Sequence, residues 1–115
     1  YFPFMESFRV GSAYLSDLDQ MLGTAAGQGT SVLIVDMPVP ADLDVRLFPS
    51  QFAAYRTALT EIATARAVQV IHATRAAVGL TDADFCDLVH LNGTGAAKLS
   101  HWLRTAIAAA GEAAP

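Results

Sequence analysis

The sequence predicts an α/β fold with two parallel strands and three main helices. Apolar residues make up 53% of the 115 residues and charged residues only 16%, which predicts a compact core. Two short aliphatic runs alternate with segments of helical periodicity, in the order helix, strand, helix, strand, loop, helix. Such alternation is typical of layered α/β folds with a parallel sheet. We therefore expect residues 1–115 to form a single domain, or the C-terminal portion of a larger one.

The first half of the chain supplies one helix and one strand. Residues 1–11 are aromatic and irregular, and Ser12 is the predicted N-cap of the first helix. One face of that helix carries Leu15, Leu18, Met21 and Leu22, and Gly27 and Gly29 end it. The run "SVLIVDM", Ser31–Met37, is apolar almost throughout, which indicates a strand covered on both faces. The prolines that follow end it, because proline cannot continue a central strand.

The second half repeats the pattern. Ser50 is the predicted cap of the next helix, whose apolar face carries Phe52, Tyr55, Leu59 and Ile62. The run "VQVIHA", Val68–Ala73, predicts the second strand, and a polar loop follows it. The last helix is expected over Thr94–Ala110, with Leu99, Trp102, Leu103 and Ile107 on one side.

Two strands are too few for a complete three-layer domain, which usually has four or five. A parallel pair leaves a strand edge open and apolar faces poorly covered. We therefore expect a partial flavodoxin-like fold whose N-terminal half is missing from this chain. That half would lie elsewhere in the gene product, come from another chain, or be replaced by self-association across the exposed edge near Val32–Val35.

Composition narrows the classes of function. The net charge of −4, with scattered basic residues, argues against a nucleic-acid partner. The sequence contains no uninterrupted run of about 18 apolar residues, so it predicts no membrane span. Cys86 is the only cysteine, so no internal disulfide forms, and we expect it to be a small packed residue. No metal spacing and no GxGxxG fingerprint is present, so neither a metal nor a cofactor is predicted.

The strongest candidate for chemistry is the pair Asp87 and His90, in "DLVHLNGTGAAKLSHWL". Histidine supplies a base near neutral pH, and a carboxylate orients its ring and stabilises its charged form. The pair lies after a strand and before a helix, where open α/β sheets place their ligands. The other histidines are expected in structural roles, with His72 capped or partly buried at a strand end and His101 exposed.

The stretch "DFCDLVHLNGTGAAKLSHWLRTAI" resembles the C-terminal block of the SGNH (GDSL-type) hydrolase superfamily. That block reads Asp-x-x-His, then Asn, a small-residue turn with Gly, and an amphipathic helix. Asp87 and His90 match its acid and base, and Asn92, Gly95 and Leu99 match its turn and helix positions. "GTSVLIVDMPVPADL" is similar to a later core strand of the family. The resemblance spans residues 12–110 and is nearest the bacterial D-alanine transfer protein and the polysaccharide acetyl-modifying enzymes.

The resemblance implies an ester hydrolase or O-acyltransferase that acts on a small acyl ester or an acylated cell-surface glycan. For the full-length protein it implies the bacterial cell envelope, although the chain itself carries no compartment signal. The family's Gly-Asp-Ser nucleophile block is not in this sequence, and Ser12 is interpreted as a helix cap. The resemblance thus predicts a chain that contributes base and acid but is inactive alone.

Two other interpretations stay open at the level of sequence. One is a small non-catalytic α/β interaction or regulatory domain, in which Asp87 and His90 merely close the last loop. The other is a hydrolase-like fold kept for glycan binding. The contact between the Asp87 carboxylate and the His90 ring discriminates the enzyme from the interaction domain.

Overall fold

The computed structural model describes residues 11–113, so the predicted irregular segment at residues 1–11 lies almost entirely outside the described residues. The chain is a mixed α/β fold made mostly of helices. Its elements in chain order are α1 (Ser12–Gly27), β1 (Leu33–Asp36), a π-helical segment (Asp42–Leu47), α2 (Pro49–Ala65), β2 (Gln69–His72), α3 (Arg75–Val78), a 3₁₀ turn (Asp82–Asp84) and α4 (Gly93–Ala113).

Within residues 11–113 the sheet consists of β1 and β2, which run parallel. This confirms the predicted pair of parallel strands, although each strand is four residues long and shorter than its apolar run. A hydrogen bond of 3.0 Å from the Ala73 amide to the Asp36 carbonyl continues the pairing one residue beyond β2. Both strands therefore end at the same edge of the sheet.

The chain divides into two compact units, and the first comprises residues 11–34 and 47–70 of the described part. Its buried apolar residues are Leu22, Leu59 and Ala63. The Arg66 guanidinium, just past α2, binds the Asp19 carboxylate of α1 through two bonds of 2.8 and 3.0 Å. These bonds lower the pKa of Asp19 and raise that of Arg66. The guanidinium lies so close to Gly23 that a Cβ there would collide with it.

The second unit comprises residues 35–46 and 71–113 of the described part. Its buried apolar residues are Leu43, Ala73, Leu80, Leu99 and Ala110. Leu43 is 2% exposed and lies in the π-helical segment, which therefore has its own anchor in the core. This unit contains Asp87, His90 and the carboxyl ends of both strands.

The predicted helix caps were wrong. Helix α1 begins at Ser12 itself, so Gly11 is its N-cap, and the side chain of Ser12 lies outside the described residues. Helix α2 begins at Pro49, with Phe48 as its N-cap, so Ser50 lies inside the helix. Pro49 at the first helical position explains this start, because its fixed φ suits the first turn and its missing N–H needs no partner there.

Three short elements were not predicted. The π-helical segment follows Pro38 and Pro40, and α3 with the 3₁₀ turn lies in the segment predicted as a polar loop. Helix α3 has the Thr74 hydroxyl as its cap and ends at Gly79, whose φ of 81° lies in the left-handed region that glycine adopts without strain. The predicted final helix is confirmed, and it extends three residues past Ala110.

Gly95 in α4 packs against the 3₁₀ turn, and we expect Gly95→Ala to destabilise the protein by about 1–3 kcal/mol. An added Cβ would collide with the Asp84 carbonyl oxygen and come within 2.9 Å of the Leu91 side chain. Gly93→Ala is the matched control, because a Cβ at Gly93 meets no atom within 4 Å. Urea unfolding of both variants measures the difference. An unfolding free energy for Gly95→Ala equal to that of Gly93→Ala would contradict the close approach.

Candidate functional site

The loop between the 3₁₀ turn and α4 is closed by its own backbone. Phe85 and Leu91 form an antiparallel bridge, and the Cys86 amide donates to the His90 carbonyl at 2.9 Å. These contacts bring the two ends of the segment 85–91 together. Asp87 and His90 therefore lie on a short closed loop.

Asp84 anchors the start of this loop. Its carboxylate is 3% exposed and accepts hydrogen bonds of 2.8 Å from the Lys98 ammonium and from the Thr81 amide. The Lys98 bond, then the Thr81 amide, hold the pKa of Asp84 below its ordinary value, against the opposing effect of burial. The Asp84 carbonyl also accepts from the Asn92 amide at 2.8 Å, which fixes the far end of the loop.

Asn92 joins the loop to the first turn of α4. Its side-chain oxygen accepts from the Gly95 amide at 3.0 Å, as an N-cap residue does. Its side-chain nitrogen donates to the Ala83 carbonyl at 2.6 Å. Both ends of the amide are thus engaged. Asn92 directly precedes α4, and Gly95 and the buried Leu99 lie within that helix.

The carboxylate of Asp87 meets the ring of His90. Nδ1 of His90 lies 2.8 Å from Oδ2 and 3.0 Å from Oδ1 of Asp87. Oδ1 also accepts from the backbone amides of Val89 at 2.8 Å and His90 at 2.7 Å. The two backbone bonds hold the carboxylate in place, so its second oxygen points at the imidazole.

These hydrogen bonds lower the pKa of Asp87 from 3.8 to about 2. The bond from the Val89 amide contributes most, followed by the His90 ring and the His90 amide. Asp87 is therefore ionised at neutral pH. Because an ionised carboxylate only accepts hydrogen bonds, Nδ1 of His90 carries the proton and Nε2 keeps its lone pair in the neutral ring.

The pair is open to solvent. The side chain of His90 is 71% exposed and that of Asp87 52% exposed. No hydrogen bond from the described part of the chain engages Nε2 of His90. The basic nitrogen is therefore accessible to a second reactant.

The residues around the pair take simple roles. Cys86 is exposed, so the prediction that it is packed was wrong, and its Sγ lies 3.5 Å from the His90 carbonyl. The reason is that Cys86 lies on the closed loop, where its Sγ faces the His90 and Leu91 carbonyls rather than the core. His101 is exposed on α4, as predicted. Phe85 and Trp102 are half-buried rather than core residues.

A second Asp–His pair lies where β1 and β2 end, and it was not predicted. Nδ1 of His72 lies 3.0 Å from Oδ2 of Asp36. The Asp36 side chain is 10% exposed and that of His72 43% exposed. Each residue is the last of its strand. Adjacent parallel strands end at one edge, and this was the signal that the sequence offered.

Arg75 and Asp44 form an ion pair in the same unit, just after the two strands. One nitrogen of the Arg75 guanidinium donates to the Asp44 carboxylate at 2.8 Å and to the Val39 carbonyl at 2.6 Å. The Asp44 side chain is 8% exposed and that of Arg75 25% exposed. The pair ties the start of α3 to the segment that follows β1.

An open groove of about 530 Å³ lies in the first unit, along α1 and the turn after it. Its polar lining includes Asp17, Gln20, Thr24 and Gln28. None of the predicted site residues lines it.

The described residues contain no group of three or more His, Cys, Asp or Glu side chains placed to hold a metal ion. None of the helices in residues 11–113 combines the length and apolar character that a membrane crossing requires.

Comparison of the chain with family models, with curated proteins and with solved structures finds no match.

The titration of Asp87 provides a test of its hydrogen bonds. Its carboxylate stabilises the fold fully above the unfolded pKa near 3.8, and this contribution is lost as the pH falls through about 2. We expect the difference in unfolding free energy between wild type and Asp87→Asn to be constant above about pH 4 and to shrink below it. Urea unfolding at several pH values measures this. A difference that stays the same down to about pH 2 would disprove the assigned bonds.

The tautomer of His90 provides a second test. In Asp87→Asn, the amide oxygen keeps the two backbone bonds, so its NH₂ group replaces the oxygen that faces Nδ1. That group donates to Nδ1, and the proton of the neutral ring must then move to Nε2. We expect ¹⁵N NMR to report Nδ1–H in wild type and Nε2–H in the variant. His101 serves as the internal control, and unchanged His90 shifts would count against the pairing.

Proposed function

We propose that Asp87 and His90 are the orienting acid and the base of an SGNH-type ester hydrolase or O-acyltransferase. The observation that supports this most is the 2.8 Å contact between the Asp87 carboxylate and Nδ1 of His90, with the carboxylate held by two backbone amides. A carboxylate on Nδ1 sets the tautomer in which Nε2 is the proton acceptor. This is the arrangement that nucleophilic acyl chemistry requires of its base.

The proposed reaction takes place at Nε2 of His90. A serine hydroxyl gives its proton to Nε2 as its oxygen attacks the ester carbonyl, and Asp87 stabilises the imidazolium that forms. The proton then passes to the leaving alcohol. In this proposal the serine comes from outside the 115 residues, together with the strands that complete a flavodoxin-like sheet. The chain alone is then inactive as an esterase.

The substrate class follows from the same proposal. It is a small acyl ester, such as an acetyl or alanyl group on a cell-surface glycan. The exposure of His90 and the accessibility of its Nε2 leave room for a serine and an ester to approach. The remaining part of the protein would cover the site and exclude water from it.

A second candidate is a non-catalytic interaction or glycan-binding domain. It is favoured by the two amides that bond to Oδ1 of Asp87, because such an arrangement also shapes a turn without any chemistry. In that case His90 would be a surface residue whose removal changes no reaction.

The two candidates differ in the hydrolysis of p-nitrophenyl acetate. We expect the 115-residue chain to show no serine-dependent turnover, and a version extended upstream of Tyr1 to hydrolyse the ester. In the extended protein, His90→Ala should lower kcat by about 10²- to 10⁴-fold, since general-base catalysis contributes that much. Release of p-nitrophenolate, followed by absorbance, is the measurement.

His101→Ala is the matched control, because His101 is an exposed histidine of the same unit. Robust turnover by the 115-residue chain that disappears in His90→Ala would refute the proposal that the nucleophile lies elsewhere. Absence of ester hydrolysis by the extended protein, with His90 or without it, would favour the interaction domain.

A further inference from the structure

The Asp36–His72 pair presents a hydrogen-bond acceptor at the carboxyl edge of the sheet. The nearly buried Asp36 carboxylate accepts the Nδ1 proton of His72 at 3.0 Å, so Nε2 of the neutral ring keeps its lone pair. Among residues 11–113, no group forms a hydrogen bond with that nitrogen. The ring is 43% exposed, so a ligand in solution reaches it.

The position of the pair is the one that ligands occupy in open α/β sheets. They bind in the crevice outside the carboxyl ends of parallel strands, and Asp36 and His72 are the last residues of β1 and β2. The loop that carries His90 follows β2 in the same unit. Both Asp–His pairs therefore belong to the same compact unit.

The acceptor nitrogen selects the class of ligand. Nε2 of the neutral His72 ring carries a lone pair and no proton, so its partner must donate a hydrogen bond, which a carboxylate or other fully ionised anion does not do. The carboxylates of Asp36 and Asp44 already have cationic or N–H partners, and the described residues offer no group of three metal ligands. A neutral hydroxyl group, which donates to Nε2 and adds no charge, fits best.

We infer that Asp36 and His72 bind the hydroxyl-bearing acceptor of an acyl transfer, a neutral alcohol or saccharide, through Nε2 of His72. This inference rests on the proposed function, and it favours the O-acyltransferase over the hydrolase. Asp36 is a positioning residue, because it sets the tautomer of His72. His72 is a binding residue and takes no proton in the reaction.

The transfer itself conserves atoms and charge. One acceptor hydroxyl gives its proton to Nε2 of His90 as its oxygen bonds to the acyl carbon, and the serine oxygen leaves and recovers that proton. A neighbouring hydroxyl of the same acceptor donates a hydrogen bond to Nε2 of His72. Water has no second hydroxyl to place there, so this contact favours the acceptor over water.

The first experiment uses the 115-residue chain and tests binding alone. Glycerol and methyl β-D-glucopyranoside are titrated while ¹⁵N NMR follows the ring nitrogens of the three histidines. We expect a saturable shift at Nε2 of His72 with at least one probe and none at His101. Asp36→Asn should abolish it, because the amide donates to Nδ1 and moves the ring proton to Nε2. Absence of any His72 shift with both probes overturns the inference.

The second experiment uses the version extended upstream, with p-nitrophenyl acetate as donor and the same two compounds as acceptors. We expect His72→Ala and Asp36→Asn to lower the ratio of transfer to hydrolysis by about three- to tenfold, as for one lost hydrogen bond. His101→Ala should leave this ratio unchanged.

The outcomes separate the two proposals. Ester cleavage that requires His90, with a transfer ratio unaffected by His72→Ala, overturns the acceptor site and leaves the proposed function standing. Loss of all cleavage in His72→Ala would place His72 in the chemistry and also overturn it. Cleavage that does not require His90 defeats the proposed function, and the NMR titration then decides on the binding site by itself.

Discussion

The buried carboxylate of Asp84 is the constraint on which the end of the chain depends. An ionised carboxylate 3% exposed is costly to bury unless it is paired and hydrogen-bonded, and here Lys98 and Thr81 supply both. Its lowered pKa shows that these partners outweigh the cost of burial. The backbone carbonyl of Asp84 also accepts a hydrogen bond from the Asn92 amide. The same carbonyl lies so close to Gly95 that only glycine fits there. The Thr81 amide, the Asn92 amide and the Lys98 ammonium are thereby held around one residue.

The shape of the loop that carries Asp87 and His90 depends on these contacts of Asp84. Asp84 and Asn92 hold its two ends, and the bridge between Phe85 and Leu91 closes it. Only seven residues lie between these ends, so there is little room for the loop to adopt other conformations. The Asp87 carboxylate therefore orients the His90 ring, and the closed loop restricts the backbone that carries it.

The sequence predicted the features that depend on the periodicity of apolar residues or on residues that are close together in the chain. The spacing of apolar residues predicts the long helices and both strands. The contact of Asp87 with His90 is predictable because the two residues are only three positions apart. The π-helical segment carries no comparable signal, because a π-turn differs from an α-turn by one hydrogen-bond register that no residue type specifies. The predicted cap of α2 was wrong because serine is a favourable cap residue, whereas the ring of Pro49 fixes the start of this helix one residue before Ser50.

The Asp36–His72 pair escaped prediction for a different reason. The two residues are 36 positions apart, and their contact depends on which strands are neighbours and in which register. Periodicity shows that a residue ends a strand, but it does not show the strand beside it. The same limit applies to Arg75 and Asp44, which are 31 positions apart and meet only after β1 and β2 have paired.

The two Asp–His pairs also differ in how much of the chain must fold before they form. The Asp87–His90 contact closes a loop of only three positions, which costs little chain entropy. The Asp36–His72 contact joins residues 36 positions apart and requires both strands to be in place. Local loops open and close independently of a domain, while contacts between strands report its cooperative unfolding. His90 and His72 are thus two natural reporters in one chain, the first for the local loop and the second for the assembly of the sheet.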